Sequence, residues 1–428
     1  MHKSLTPRLI PALITLAFAG SASASGFQLY GEQSAHGIGN AGAGSAASAE
    51  NASTIYYNPA GMTQLQAREV SLGVTAVKTS FEFNNSGSVT PGFSGNGGDG
   101  GGWGFVPNAY MSWALSKDIY VGLGIGAPFG LKTEYDKPWT GSAHSNSFEI
   151  KTVNINPSVA WRANQWLSLG GGLNFQYIEA TYKRAAGVSV VPPAGVLNRS
   201  DVTLKLDDTG WGWNVGALIS PTATTKIGIA YRSKVKYTAE GDISVSGPSA
   251  AVNAGGSSNA KADIELPDTF ALSLSQAVGD RVELLADVTW TGWSSIPYVD
   301  IMRTSGARNG QLAQKLDTRF ENAWRFAVGA NYKVNDAFKM RFGVAYDQTP
   351  VPGAAHRLTS LPDNDRTWFS LGAQWKPTKT TALDLGMAYL YVKDAPINNN
   401  LNAEGKGTVT GTYKDSAWLF GAQYSMSF

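Results

Sequence analysis

The sequence predicts an all-β membrane protein, a 14-stranded antiparallel transmembrane β-barrel plugged by a small N-terminal hatch. Three observations predict it. Segments along most of the chain alternate apolar with polar or small residues at period two, as strands with one apolar face do. Short turns alternate with long loops rich in Gly, Ser, Asn and Pro, the arrangement of outer-membrane barrels. Beyond the first residues, no stretch reaches the ~20 apolar residues of a membrane-spanning helix.

Residues 1–24 read as a secretory signal: Lys3 and Arg8, then an apolar run over 9–19, then the small-residue site Ala22-Ser23-Ala24. Once Lys3 and Arg8 are gone from the 34 basic residues, 32 remain against 32 acidic ones, so the mature chain is formally neutral. That balance gives no footprint for nucleic acid. Absence of Cys removes disulfides and thiol chemistry. Aromatics at 11%, 49 Gly and only 15% charged residues fit a large soluble β-protein or an outer-membrane barrel.

Residues 25–66 are the predicted hatch. Gly31, Gly37, Gly39, Gly42 and Gly44 stand among small alanines, too little apolar bulk for a core of their own. The barrel is assigned to residues 67–428. Its candidate strands fall near 67–84, 103–115, 118–131, 147–163, 166–184, 200–219, 225–245, 261–277, 281–303, 314–333, 338–347, 366–376, 381–393 and 410–428. Trp418, Phe420, Ala422, Tyr424, Met426 and Phe428 share one face of the last, and Phe338, Met340, Phe342, Val344 and Tyr346 one face of the eleventh. A soluble sandwich alternates too. Repetition along the chain, aromatics near strand ends and the terminal Phe428 favour the barrel.

Parity then assigns inward residues. In the fifth strand Leu167, Leu169, Leu173, Phe175 and Tyr177 face out, which sends Gln176 and Arg184 inward. In the tenth, Phe320, Trp324, Phe326, Val328 and Tyr332 as the lipid face put Lys315 and Arg319 inside. An ordinary lumen salt bridge is the plain alternative for these cations. The third strand has Ile119, Val121, Leu123, Ile125 and Ala127 outward and Gly122, Gly124 and Gly126 inward, then Pro128, Phe129 and Gly130. Pro removes a ladder donor and Gly permits unusual angles, so either the wall has a gap there or the strand ends. Asn58-Pro59-Ala60, read on its own, is a turn.

Two patterns are decoys. Gly37-Ile38-Gly39-Asn40-Ala41-Gly42 matches G-x-G-x-x-G but has no preceding buried strand or following crossover helix. His144-Ser145-Asn146-Ser147 is the one cluster that invites a lipid hydrolase, and it falls in a predicted loop. With His36, His144 and His356 as the mature histidines, no paired-His metal spacing exists. The chain is therefore expected not to be an enzyme and to need no cofactor or metal.

The order of features resembles the FadL family of outer-membrane long-chain fatty acid transporters from Gly26 to Phe428. Its pieces are Gly26-Phe27-Gln28-Leu29, Asn58-Pro59-Ala60, Trp211-Gly212-Trp213-Asn214-Val215-Gly216 and Tyr231-Arg232-Ser233-Lys234-Val235-Lys236, then Pro350-Val351-Pro352 ahead of Leu361-Pro362-Asp363-Asn364-Asp365-Arg366. The resemblance implies that Arg184 and Lys315 bind the ligand carboxylate and that Asn58, Pro59 and Ala60 form the moving part of the hatch. It also implies that Pro128, Phe129 and Gly130 mark a kink through which substrate leaves into the bilayer; Pro128 departs from the family pattern there. A carboxylate in an apolar pocket needs such paired donors. The expected function is uptake of long-chain fatty acids, captured by apolar outer loops including residues 188–197. The alternative is a channel of the same fold for aromatic hydrocarbons, alkanes or other hydrophobic compounds, and a general porin is a third rival. A monomer in outer-membrane lipid and lipopolysaccharide is expected, with no nucleic acid partner.

Overall fold

The structure, a computed structural model, describes residues 26–428 apart from Pro91, 187–189, 192–195 and 198. The expected signal and most of the expected capture loop lie outside the described residues. The strands are β1 (Arg68–Asn85), β2 (Trp103–Ala114), β3 (Ile119–Gly126 and Gly130–Glu134), β4 (Ser147–Arg162), β5 (Leu167–Ala186), β6 (Ser200–Thr222) and β7 (Thr225–Arg232 and Val235–Ser246). They continue as β8 (Ser258–Leu266 and Thr269–Val278), β9 (Val282–Thr291 and Val299–Arg303), β10 (Leu312–Leu316 and Ala323–Lys333), β11 (Phe338–Asp347), β12 (Arg366–Trp375), β13 (Thr381–Val392 and Ala395–Leu401) and β14 (Gly407–Ser427). Each pairs antiparallel with the next. β1 pairs with β14 from Glu69–Ser427 to Asn85–Gly411, which closes the barrel at 14 strands. Closure leaves no sheet edge facing lipid, the requirement for crossing a bilayer with strands.

Alternation orients the wall as the sequence predicts. Phe338, Met340, Phe342, Val344 and Tyr346 are exposed outward, while Arg341, Gly343, Ala345 and Asp347 are buried inward. Trp211, Trp213 and Val215 of β6 and Trp418, Phe420, Tyr424 and Met426 of β14 are likewise exposed. Several strands are interrupted where the sequence reads continuous. The tenth is broken between Leu316 and Ala323, with Arg319 at a φ of 44°. That irregular stretch resets the inward–outward phase, so parity carried across it fails. Phe320 is buried, not lipid-facing, and the Arg319 side chain is exposed beside Asp317.

Residues 26–63 are almost wholly buried and lie against the inward wall. Glycines make this close approach possible: a methyl on Gly343 would collide with the backbone of Asn40, and one on Gly386 with that of Ala35. The segment is anchored by charge as well. Glu50 receives Arg341 at 2.7 and 2.8 Å and Lys339 at 3.0 Å, and Arg341 also reaches Asp384 at 2.7 Å. Arg341 itself is fully buried. Arg341→Met is expected to cost about 3–5 kcal/mol, since it leaves Asp384 without its cation and Glu50 with Lys339 alone. A lowered urea midpoint of the purified barrel, with raised ion conductance in planar bilayers, would show it.

Candidate functional site

The site begins where β3 breaks. β2 pairs with β3 only from Ala109–Ile125 to Ala114–Tyr120, whereas both pieces of β3 keep their pairing with β4. The wall therefore has a gap in its ladder beside Ala127, Pro128 and Phe129. The start of the N-terminal segment supplies the missing partners. Leu29 N donates to Pro128 O and Gly130 N to Phe27 O, both at 2.8 Å. Gln33 Nε2 donates to Ala127 O at 2.6 Å. Ala127 is consequently buried, against the outward position that alternation gives it. Within the wall, Phe129 N is taken by the Thr152 hydroxyl at 2.9 Å.

Phe27 is also the floor of an apolar pocket. Its ring meets Trp293 edge-on with centroids 4.9 Å apart, and Phe129 at 5.8 Å. Above them the pocket has a volume of about 80 Å³, walled by Ile150, Leu204, Leu206, Ile264 and Ile301 among others. At its mouth, Tyr182, Leu316 and Leu358 also line a polar vestibule that holds His144, Gln314, His356 and Asn398. The arrangement can hold a long apolar chain with its polar end in the vestibule.

Arg184 follows Tyr182 on the same face of β5. Its Nε donates to Gln314 Oε1 at 2.9 Å and its Nη1 to Ala185 O at 3.3 Å. No carboxylate among the described residues lies within ion-pair distance of it. Lys315 lines the vestibule as well, but it is half exposed and has other partners. Its side chain is 42% exposed, 3.8 Å from Asp300 and over the Tyr298 ring at 4.2 Å. The broken strand is the cause: phase resets between Leu316 and Ala323, so Gln314 takes the inward place parity gave to Lys315. A second cation does stand near Arg184. Burial first, and then the Arg184 charge, hold the Lys406 ammonium below its ordinary range, and Glu404 pairs with it at 2.6 Å. Sequence reasoning missed Gln314, Tyr182, Lys406 and Phe27. Only Phe27, inside a quoted motif, carried a signal.

Asn58, Pro59 and Ala60 lie elsewhere. Asn58 is fully buried and donates to Ala46 O at 2.8 Å and Ala217 O at 2.9 Å, while its Oδ1 accepts from Ala60 N at 3.1 Å. Pro59 opens a short 3-10 helix, Pro59–Gln64. A methyl on Gly170 would run into Ala60. Arg184 is fourteen residues further along the same strand, about 45 Å at ~3.3 Å per residue. The motif thus grips the far end of β5 and β6, away from the pocket mouth.

His144 is buried in the loop before β4, its Nε2 3.3 Å from Gly407 O. Burial pulls its pKa down to about 4. A His depressed from ~6.5 contributes stability that is intact above the unfolded value and lost as pH falls toward the folded one. Loop protection from protease is therefore expected to fall between about pH 6.5 and 4. His144→Gln should flatten that dependence, measured by limited proteolysis across the range.

Residues 15–428 match the family model described as outer membrane protein transport protein (OMPP1/FadL/TodX). The chain is 28% identical to the long-chain fatty acid transport protein of Escherichia coli (strain K12), covering 100% of both chains. Among solved structures it is similar to a Pseudomonas aeruginosa FadL homologue, with TM-score 0.86, 24% identity and coverage of 94% of this chain and 100% of that one. It is also similar to the P. putida toluene transporter TodX, with TM-score 0.70, 15% identity and coverage of 94% and 99%. These last two likenesses speak to the fold.

Proposed function

Since the chain belongs to the OMPP1/FadL/TodX family of outer-membrane transport proteins, we propose that its substrates are long-chain fatty acids, which it admits by diffusion. The coarser statement, an outer-membrane transporter of hydrophobic compounds in a Gram-negative bacterium, follows from the family and the fold together. One observation carries the finer reading: an apolar pocket that opens on a polar vestibule lined by Gln314, the residue to which Arg184 donates. Each methylene that leaves water for such a pocket contributes ~0.8 kcal/mol, and an arginine fork can take the carboxylate. A toluene-type substrate has no use for a cation at the mouth. The family also includes TodX, so aromatic hydrocarbons and alkanes remain the second reading.

Transport then needs the pocket floor to move. Withdrawal of Phe27, Gln28 and Leu29 would free the backbone of Pro128 and Gly130 and open the β3 gap to the bilayer. In this scheme residues 26–66 act as a hatch, with Asn58, Pro59 and Ala60 its fixed end, and Pro128, Phe129 and Gly130 frame the exit. The working unit is taken as a monomer, in contact with lipid and lipopolysaccharide.

Arg184→Ala is expected to weaken oleate binding by about tenfold to a hundredfold, the loss of a charge-assisted hydrogen bond of ~1.5–3 kcal/mol. Lys315→Ala should change it less than about threefold, because a surface pair of this kind is worth ~0–1 kcal/mol. Equilibrium binding of oleate and of toluene to both variants tests this. Equal loss of the two ligands in Arg184→Ala would count against the carboxylate role. Free permeation of small sugars in liposome swelling would instead sink the plugged channel.

A further inference from the structure

Two of the sequence motifs meet at a place that the transport scheme leaves unused. Asn214 of the Trp211–Gly216 stretch and Arg232 of the Tyr231–Lys236 stretch are direct cross-strand partners between β6 and β7. Both line a small cavity of about 30 Å³ with Gln28, Tyr56 and Tyr57. Gln28 is the residue bridged to Phe129 at the β3 break, so this cavity adjoins the gap.

Arg232 makes three contacts there. Its Nη2 donates to Tyr56 O at 2.8 Å, its Nη1 to Asn174 Oδ1, and its guanidinium lies 4.6 Å from the Tyr56 ring centre. No described carboxylate forms an ion pair with it. Arg341, by contrast, sits between Glu50 and Asp384. A cation deep inside protein without a counter-charge is costly. A second observation points the same way. Asn214 is 3% exposed, and while its Oδ1 accepts from Asn156 and Asn174 at 3.0 and 3.1 Å, its Nδ2 has no partner. One cation and one unused donor therefore face one small cavity, which is what a carboxylate requires.

We propose that Arg232 and Asn214 form an inner carboxylate station for the transported acid, reached after Phe27 and Gln28 move and before release at the β3 gap. The proposal rests on the fatty-acid reading given above. It gives the unpaired arginine a second duty beyond holding Tyr56.

The informative variant is Asn214→Asp. It keeps the oxygen that Asn156 and Asn174 bind and gives Arg232 a resident counter-ion, so the contacts to Tyr56 and Asn174 stay in place. Native mass spectrometry of delipidated full-length protein with oleate should show two bound acids in the wild type and one in Asn214→Asp. Oleate uptake by cells carrying the variant should fall about fivefold or more, with conductance in planar bilayers unchanged. Arg232→Gln should also lose the second oleate but raise conductance, because it releases Tyr56 as well. Two oleates and wild-type uptake in Asn214→Asp would overturn the inner station, as would a wild type that binds one oleate which Arg184→Ala removes. Unaltered oleate binding and uptake in Arg184→Ala would instead overturn the fatty-acid reading beneath it.

Discussion

The structure turns on one constraint: in a bilayer, a backbone polar group without a partner costs several kcal/mol. A closed barrel meets that demand along its paired strands, and the break in β3 after Gly126 needs partners from elsewhere. Here the partners come from Phe27, Leu29 and Gln33, which lie more than ninety residues earlier in the chain. The gap and the segment that fills it are therefore one feature. Neither is stable against lipid without the other, and a channel that opens at the gap must find new partners, such as water or ligand, for Pro128 O and Gly130 N.

The same logic explains how the N-terminal segment is held. Its middle and far end are fastened firmly, by Glu50 to Arg341 and by Asn58 to the β6 wall. Its first residues are held by a few backbone hydrogen bonds, aromatic contacts and the Gln28 amide, which bonds Thr269 and Thr291. Net worth per such hydrogen bond is ~0.5–1.5 kcal/mol, against several for a buried ion pair. Movement of the leading residues is thus far cheaper than movement of the whole plug. That difference is why the proposed scheme puts the moving part at Phe27 and keeps Asn58 fixed.

Legibility from sequence divided along the same physical lines. Period-two alternation is imposed on every strand by the bilayer, so the lipid face of β11 and β14 could be read residue by residue. It held for Arg184, which lies on an unbroken strand. It failed for Lys315 and Phe320 because one residue at positive φ, Arg319, lies in an irregular stretch that resets the phase. No propensity marks that spot. Gln314 was missed through the same phase reset, and Lys406 for another reason: its approach to Arg184 depends on packing between distant segments, which has no local signature. Pro128 and Gly130 did announce a break, but only the structure shows that Phe27 and Leu29 repair it.

A channel without an energy source must bind its cargo well enough to collect it and weakly enough to let it go. In the proposed scheme Arg184 would meet this by being partly engaged: Gln314 and the Ala185 carbonyl already occupy its Nε and Nη1. Lys406 is likewise paired with Glu404. On the proposed fatty-acid reading, an incoming carboxylate would exchange bonds with these groups and would not meet a bare pair of charges. Arg232 is arranged on the same plan, with neutral partners and one aromatic face. Between the two, apolar walls contribute in proportion to chain length and do not depend on where the head group sits. Head-group stations of the kind proposed, each binding modestly and joined by a greasy passage, would give a path with no deep trap along it.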